Sequence, residues 1–355
     1  MIDRDAVRLA VVGVGRMGGF HVRRLAESGV SASGVDVVAM ADASRSSLDA
    51  VADVVAGAAV YATAEEAFAH PGLEACLIAT PTPTHPALVR RALAAGLHVL
   101  CEKPLSLHPD ESEALGREAD ADGQVLQIGF WRRFSPPWQR AREAIVGNRI
   151  GRPLMLRLSQ WDADPPPASF CDPAVSGGLA VDCGVHEFDL AEWLTGCRIE
   201  RVRAWSLPPV DLGTAEVGDV DNLVAVLELS GGALATVDLS RNARYGDDVR
   251  TVVLGSHGAL LVDLLPTGRT RIGSPDGMAT LARSEVADAT AAGVVAQMAA
   301  FASAVRGHAA DLPGATASAR ATAVAHAVRH AVETGAAVAL RTDMVASTEP
   351  AGAAR

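Results

Sequence analysis

Apolar runs and amphipathic stretches alternate through the first 130 residues. Leu9–Val12, Val35–Ala41, Ala75–Ala79 and His98–Cys101 are short, nearly continuous apolar runs, the pattern of strands buried on both faces. Between them Phe20–Ser28 and Pro86–Ala95 read as helices, stopped by Gly29 and Gly96, and Ser44 stands where a helix cap is wanted. Strands alternating with helices predict a parallel, doubly wound sheet. Beyond about residue 150 the pattern changes. Leu154–Trp161, Ile199–Trp205, Leu223–Leu229, Ala233–Leu239, Arg250–Leu254 and Ala259–Asp263 are strand-like, several joined by tight turns such as Ser230-Gly231-Gly232. They predict an antiparallel sheet, with helices near 184–195, 291–306 and 316–334. No internal repeat is present, and Thr348–Arg355 has the composition of a disordered tail.

Two glycine-rich or proline-rich turns fall at the ends of these strands. Gly13-Val14-Gly15-Arg16-Met17-Gly18 follows a strand and opens a helix. In that context glycines let backbone approach a pyrophosphate seated on the helix N-terminus. Asp42 closes the next strand 24 residues after Gly18, the separation expected of an acid that reads a ribose 2′-hydroxyl. Asp42 would repel a 2′-phosphate, which favours NAD; Arg45, three residues on, has the charge to bridge to one, so NADP stays open. Thr80-Pro81-Thr82-Pro83-Thr84-His85 sits at the ligand edge of a later strand and suits a cofactor-facing turn.

The charge inventory narrows the function. The chain has 355 residues, with 31 basic against 42 acidic, for a net charge of −11. That balance argues against nucleic acid or an anionic membrane as the main partner. No apolar run reaches the roughly 18 residues of a membrane span. Met1–Arg8 is mixed in charge and unlike a secretory signal. Five cysteines (76, 101, 171, 183 and 197) lack a CxxC pair, which suits reduced thiols in a cytoplasmic protein. All basic residues but one are Arg; the one lysine is Lys103, in Glu102-Lys103-Pro104 after a strand. A lysine can be tuned or can give up a proton where an arginine cannot. Asp182, His186 and Asp189 lie at i, i+4 and i+7 in a mostly apolar stretch and would share one face of a helix. No His/Cys cluster has metal-ligand spacing, so no metal is expected.

These motifs resemble those of the Gfo/Idh/MocA oxidoreductases, and within them the inositol 2-dehydrogenases. The matching stretches are Gly13–Gly18, Thr80–His85, Glu102-Lys103-Pro104, Gly129-Phe-Trp-Arg-Arg-Phe134, Gly177–Gly196 and Ser240–Arg250. The resemblance implies an α/β architecture: an N-terminal Rossmann domain (1–130) with a doubly wound parallel sheet, and a C-terminal α/β domain (131–345) with a large open antiparallel sheet, followed by a tail (346–355). It implies Lys103, Asp182 and His186 as catalytic. It also implies Gly13, Gly15, Arg16, Met17, Asp42, Arg45, Thr80, Pro81, His85, Glu102 and Lys103 around the cofactor. The substrate-contacting arginine falls on the Arg132–Arg133 pair, with Arg133 preferred; Asp189 and Tyr245 complete the substrate side. The implied reaction is NAD-dependent oxidation of a ring secondary alcohol of a cyclitol or related polyol, by a homo-oligomer. Its rivals are a sugar or amino-cyclitol dehydrogenase on the same scaffold and a non-enzymatic NAD(H)-binding redox sensor. Two departures fall on the substrate side. Asp247 replaces a second tyrosine two residues after Tyr245, and a family histidine is missing where this chain reads Gln160-Trp161-Asp162-Ala163-Asp164. Asp162, Asp164 and Asp247 are added acids that would suit an amine-bearing substrate.

Overall fold

The computed structural model describes residues 6–55, 57–264, 269–274, 277–283 and 286–340. Its first sheet holds β1 (Val7–Val12), β2 (Val35–Ala41), β3 (Ala59–Tyr61), β4 (Ala75–Ile78), β5 (His98–Cys101) and β6 (Leu126–Ile128). All are parallel, in the order β3-β2-β1-β4-β5-β6. Every residue of β4 and nearly every one of β1 is buried, as a sheet covered by helices on both faces requires. The strand order reverses between β1 and β4, so a crevice opens there at the C-terminal strand ends. The helix after β1 is Arg16–Ser28, four residues longer at its start than the apolar pattern shows, because the last glycine of the loop lies inside its first turn.

The second sheet holds β7 (Pro153–Trp161), β8 (Ile199–Ser206), β9 (Asn222–Leu229), β10 (Leu234–Ser240), β11 (Asp248–Gly255), β12 (Ala259–Leu264), β13 (Arg269–Ser274), β14 (Gly277–Arg283) and β15 (Val338–Ala339). The order is β14-β13-β12-β11-β7-β10-β9-β8-β15. Among the described residues its pairings are antiparallel, as expected, with one exception that makes the sheet mixed: β10 runs parallel to β7 from Leu234 opposite Met155 to Ser240 opposite Trp161. Hairpins enforce antiparallel pairing only between consecutive strands. The long helical excursion between β7 and β8 frees the chain to return in the direction in which it left. Burial alternates along β9 and β10, so one face is packed and the other open. Helices Pro136–Val146, Gly184–Thr195 and Ala315–Thr334 cover the packed face.

Helix Val286–Val305 crosses back to the first sheet. Its Met298, Phe301 and Ala302 join Val7, Leu9, Val11 and Val35 in one buried cluster. A boundary at residue 130 therefore separates the chain but not the packing. The expected common helix for Asp182, His186 and Asp189 is interrupted: a turn Leu179–Asp182 ends at Cys183, and a second helix, Gly184–Thr195, begins there. The 346–355 tail lies outside the described residues. Among those residues, no helix is long and apolar enough to cross a membrane.

Candidate active site

The glycine loop is shaped by contacts that admit no side chain. Gly13 has φ +83°, and a Cβ there would sit 2.7 Å from the Ala79 carbonyl. A Cβ on Gly18 would fall 1.8 Å from the Gly13 carbonyl oxygen. Gly15 is different: nothing lies within 4 Å of its Cβ position, so the space above it is free for a ligand. Beyond the ends of β1, β2 and β4 lies a cavity of about 820 Å³, lined by Gly13, Gly15, Asp42, Thr63, Thr80 and Pro81 among others. A dinucleotide fits this cradle. Asp42 accepts from the amides of Val14 (2.8 Å) and Ser44 (2.7 Å), which aims its carboxylate at the cavity rim. Arg45 points into solvent and pairs with Asp49. Arg16 is exposed and Met17 half-buried at the start of the helix. Thr80 shares a hydroxyl contact of 2.7 Å with Thr84. His85 is buried, with Nδ1 and Nε2 each 2.8 Å from a carbonyl, of Pro104 and Thr80 respectively. Its ring braces the two loops and offers a ligand no free nitrogen.

β5 delivers Glu102 and Lys103. The Glu102 carboxylate is buried, its Oε1 2.7 Å from Nε2 of His21 on the Arg16–Ser28 helix, and its Oε2 accepts the Lys103 amide. Burial pushes this carboxyl up, yet His21 and Lys103 hold it below its ordinary value. The pair locks the lysine loop to the helix of the glycine loop. A Cβ at Gly129 would lie 3.0 Å from Glu102 Oε2, so the glycine keeps this carboxylate's place.

Lys103 Nζ reaches across to the second domain. It donates to the Asp182 carbonyl (2.5 Å) and lies 3.2 Å from Asp182 Oδ1. Gly177 and Gly178, at φ +81° and +77°, make the turn that presents Asp182; a Cβ on Gly178 would meet Asp219 Oδ1 at 2.5 Å. Asp219 accepts the Leu179 amide, and the fully buried Arg241 joins Asp219 (2.8 Å) to Asp182 Oδ2 (3.5 Å). Burial pushes the Asp182 carboxyl up, but Lys103 and Arg241 outweigh it and hold it below the ordinary aspartate value. His186 sits edge-on to Phe130 and Trp131, with Nδ1 enclosed and unpartnered. A proton can therefore come and go only at Nε2. Burial, then Arg132 and Lys103, hold its pKa well below 6.5.

The adjacent arginines face different partners. Arg132 is buried against Glu187 and donates to Gln160 Oε1 at 2.8 Å. Arg133 grips Asp189 with two bonds, of 2.9 and 2.6 Å, and keeps more of its side chain open. Tyr245 is 68% exposed, its hydroxyl donating to Asp248. Reading the chain one motif at a time misses Arg241, Asp219, Glu187, Gln160 and His21. Glu187 and Arg241 lie inside matching stretches and Gln160 heads a departure from them, so the sequence passes over them without a role; His21 only follows the glycine loop by three residues, and Asp219 stands in no motif at all.

Two family models match this chain: an oxidoreductase family with an NAD-binding Rossmann fold over residues 7–130, and a GFO/IDH/MocA C-terminal domain over 138–261. The chain is 32% identical to a scyllo-inositol 2-dehydrogenase (NAD(+)) of Bacillus subtilis, over 73% of this chain and 74% of that protein. It is 34% identical to a myo-inositol 2-dehydrogenase of Thermotoga maritima, over 72% and 75%. The crystal structure of a myo-inositol dehydrogenase from Corynebacterium glutamicum superposes with a TM-score of 0.81 at 27% identity, covering 95% of this chain and 99% of that one.

Proposed function

We propose, because this chain belongs to the Gfo/Idh/MocA family of NAD-binding oxidoreductases, that it oxidises a ring secondary alcohol of a cyclitol to the ketone. Gly13, Gly15, Asp42, Thr80 and Pro81 would hold NAD, which would supply the acceptor for the carbinol hydride. The chain's own residues must then hold the ring and remove the hydroxyl proton. Lys103 donates to the reacting hydroxyl and stabilises the negative charge that grows on its oxygen. His186, neutral because its pKa is held down, takes the proton at Nε2. Asp182 fixes the lysine's ammonium through two contacts and is itself held by Arg241. Phe130 and Trp131 keep water from the imidazole. Arg133, Asp189 and Tyr245 satisfy other ring hydroxyls, each of which needs a partner when buried.

The observation that carries this reading is the Lys103–Asp182 contact. It joins the last loop of the nucleotide-binding crevice to the domain that bears His186. The test is NADH formation from NAD with a panel of inositols, amino-cyclitols and sugars. Turnover of at least one cyclitol supports the reading. Tight NADH binding without turnover of any of them refutes it in favour of a redox sensor.

Two further features belong to the same proposal. Met155, Trp161, Trp205, Leu234 and Leu254 stand exposed on the open face of the second sheet. This apolar face supports a homo-oligomer built on it, which sedimentation velocity would reveal. All five cysteines are free, which supports a reducing, cytoplasmic setting.

A further inference from the structure

His85 has no part in the chemistry above, yet it is buried where two loops of the site meet. Its Nε2 lies 2.8 Å from the carbonyl of Thr80, which lines the cofactor cavity together with Pro81. Its Nδ1 lies 2.8 Å from the carbonyl of Pro104, the residue after Lys103. β4 and β5 are neighbours, with Ile78 opposite Cys101, so the ring spans the gap between the two loops that leave their ends. Among the described residues neither carbonyl has another hydrogen-bond donor.

A neutral imidazole cannot make both bonds. It carries one N–H donor and one lone pair, whereas a carbonyl oxygen only accepts. In either neutral tautomer a ring lone pair faces a carbonyl oxygen at 2.8 Å, and that carbonyl goes unsatisfied. Turning the ring over puts carbons where the nitrogens stood and loses both bonds. Only the imidazolium donates at both ends. Its surroundings hold the second proton loosely. Burial, Lys103 and the N-terminus of helix His85–Ala94 oppose the charge, while the two carbonyls and Glu102 favour it. The balance puts the histidine below its ordinary value. Other groups on the elements packed against this helix are paired or neutral. Glu111 and Glu118 of helix Pro109–Ala121 pair with Arg90, and Glu65 of helix Ala64–Phe68 pairs with Arg91. Burial keeps the Cys76 and Cys101 thiols of β4 and β5 protonated. Asp172 caps helix Pro173–Ser176, beside the Thr82–Thr84 turn, by accepting the Ala174 amide.

We propose that His85 is a positioning residue that works as a cation: its imidazolium sets the spacing between the Thr80 turn and the Lys103 loop, and the cofactor binds best when both bonds are made. This rests on the NAD-dependent reading above and adds a proton to its binding step. When the ring is neutral, one of the two loops is released. The proton comes from solvent and returns to it, and no bond in substrate or cofactor changes. Cofactor affinity is then highest where His85 is charged and is lost as pH rises through its titration, the sign of any group whose proton the tighter state retains.

The test is NADH binding to the full chain, followed by fluorescence from about pH 5.5 to about pH 8, the range in which a histidine titrates. The wild-type Kd is expected to rise by about three- to tenfold over that range, the effect of one lost hydrogen bond. Most of the rise should fall below pH 6.5. Calorimetry in two buffers of different ionisation heat is expected to show proton uptake on binding there. His85→Gln, which keeps one donor and has no charge, is expected to bind with a flat Kd near the weaker alkaline value of the wild type. His186→Gln, which removes the other imidazole beside Lys103, is expected to keep the slope. A histidine that merely filled space would weaken binding by the same factor at every pH. A flat wild-type Kd overturns the proposal while the NAD reading stands. A slope that survives in His85→Gln, or vanishes in His186→Gln, also overturns it. If NADH binds at no pH, the underlying reading fails with it. Should His85→Gln not fold, a slope shared by wild type and His186→Gln supports the proposal, and its absence from either overturns it.

Discussion

Replacing Lys103 probes the chemistry most directly, and two substitutions separate its charge from its shape. Its Nζ spans the Asp182 carbonyl at 2.5 Å and Oδ1 at 3.2 Å, with a side chain only 17% exposed. Lys103→Met keeps the stem and removes the ammonium. The growing alkoxide then loses its charged donor, a change that costs about 10²–10³ in kcat at sites of this kind, or about 3–4 kcal/mol of barrier. Asp182 also loses the nearer of its two cations, and its carboxyl pKa rises toward the value that burial alone would set. Lys103→Arg keeps the charge but adds a planar fork where a compact ammonium sat. Arg241 already occupies the other side of Asp182. The guanidinium has no room to take both Asp182 contacts and the substrate hydroxyl, so kcat is again expected to fall by about 10². The assay is initial-rate NADH formation with saturating cyclitol, beside NADH binding by fluorescence. Binding retained with turnover lost supports the role. Turnover of Lys103→Arg within a factor of about two of wild type would refute the argument that ammonium geometry matters.

Three other outcomes follow from the same geometry. Gly18→Ala forces a Cβ to within 1.8 Å of a carbonyl oxygen, whereas Gly15→Ala meets no protein atom. The first should lower both the melting temperature and NADH affinity, the second NADH affinity alone, by about tenfold in each case; equal melting temperatures for the two would contradict the loop geometry. Asp42→Ser should shift the ratio of NAD to NADP efficiency by about tenfold or more toward NADP, and an unmoved ratio would remove Asp42 as the ribose reader. For His186 the folded-state pKa lies well below 6.5, so the imidazole stays neutral and able to accept a proton at pH values where a free histidine is half-charged. The acid limb of kcat/KM should therefore fall below pH 6.5. Because the unfolded chain binds protons there first, stability present above that pH is lost as pH falls further. A limb at or above 6.5 would show that His186 is not the base.

The parts of the fold legible in the sequence were those with an unambiguous period. β2, Val35–Ala41, and the helix Gly184–Thr195 have the bounds that the pattern predicts. β3 and β6 have three residues each and leave too little periodicity to read. The parallel pairing of β10 with β7 is invisible for a different reason. An alternating strand specifies which face is buried, and says nothing of the direction of its neighbour. Helix Val286–Val305 packs on the sheet of the other domain because Gly34 leaves room for Ala302, a complementarity between positions 268 residues apart.

The site divides along the same line. Lys103, Asp182 and His186 stand in short motifs, so each was visible where it stands. What sets their charges was not. His21 reaches Glu102 across 81 residues, Arg132 reaches Glu187 across 55, and Arg241 reaches Asp219 across 22. The sequence marks Arg133 for the substrate and gives no role to Arg241, and only the fold shows Arg132, Arg133 and Arg241 paired with buried carboxylates. That pairing changes what Lys103 means. Arg132 and Arg241 are held inside the protein by Glu187 and Asp219, whereas Lys103 shares the partly open Asp182 and is the cation placed between the nucleotide-binding crevice and His186.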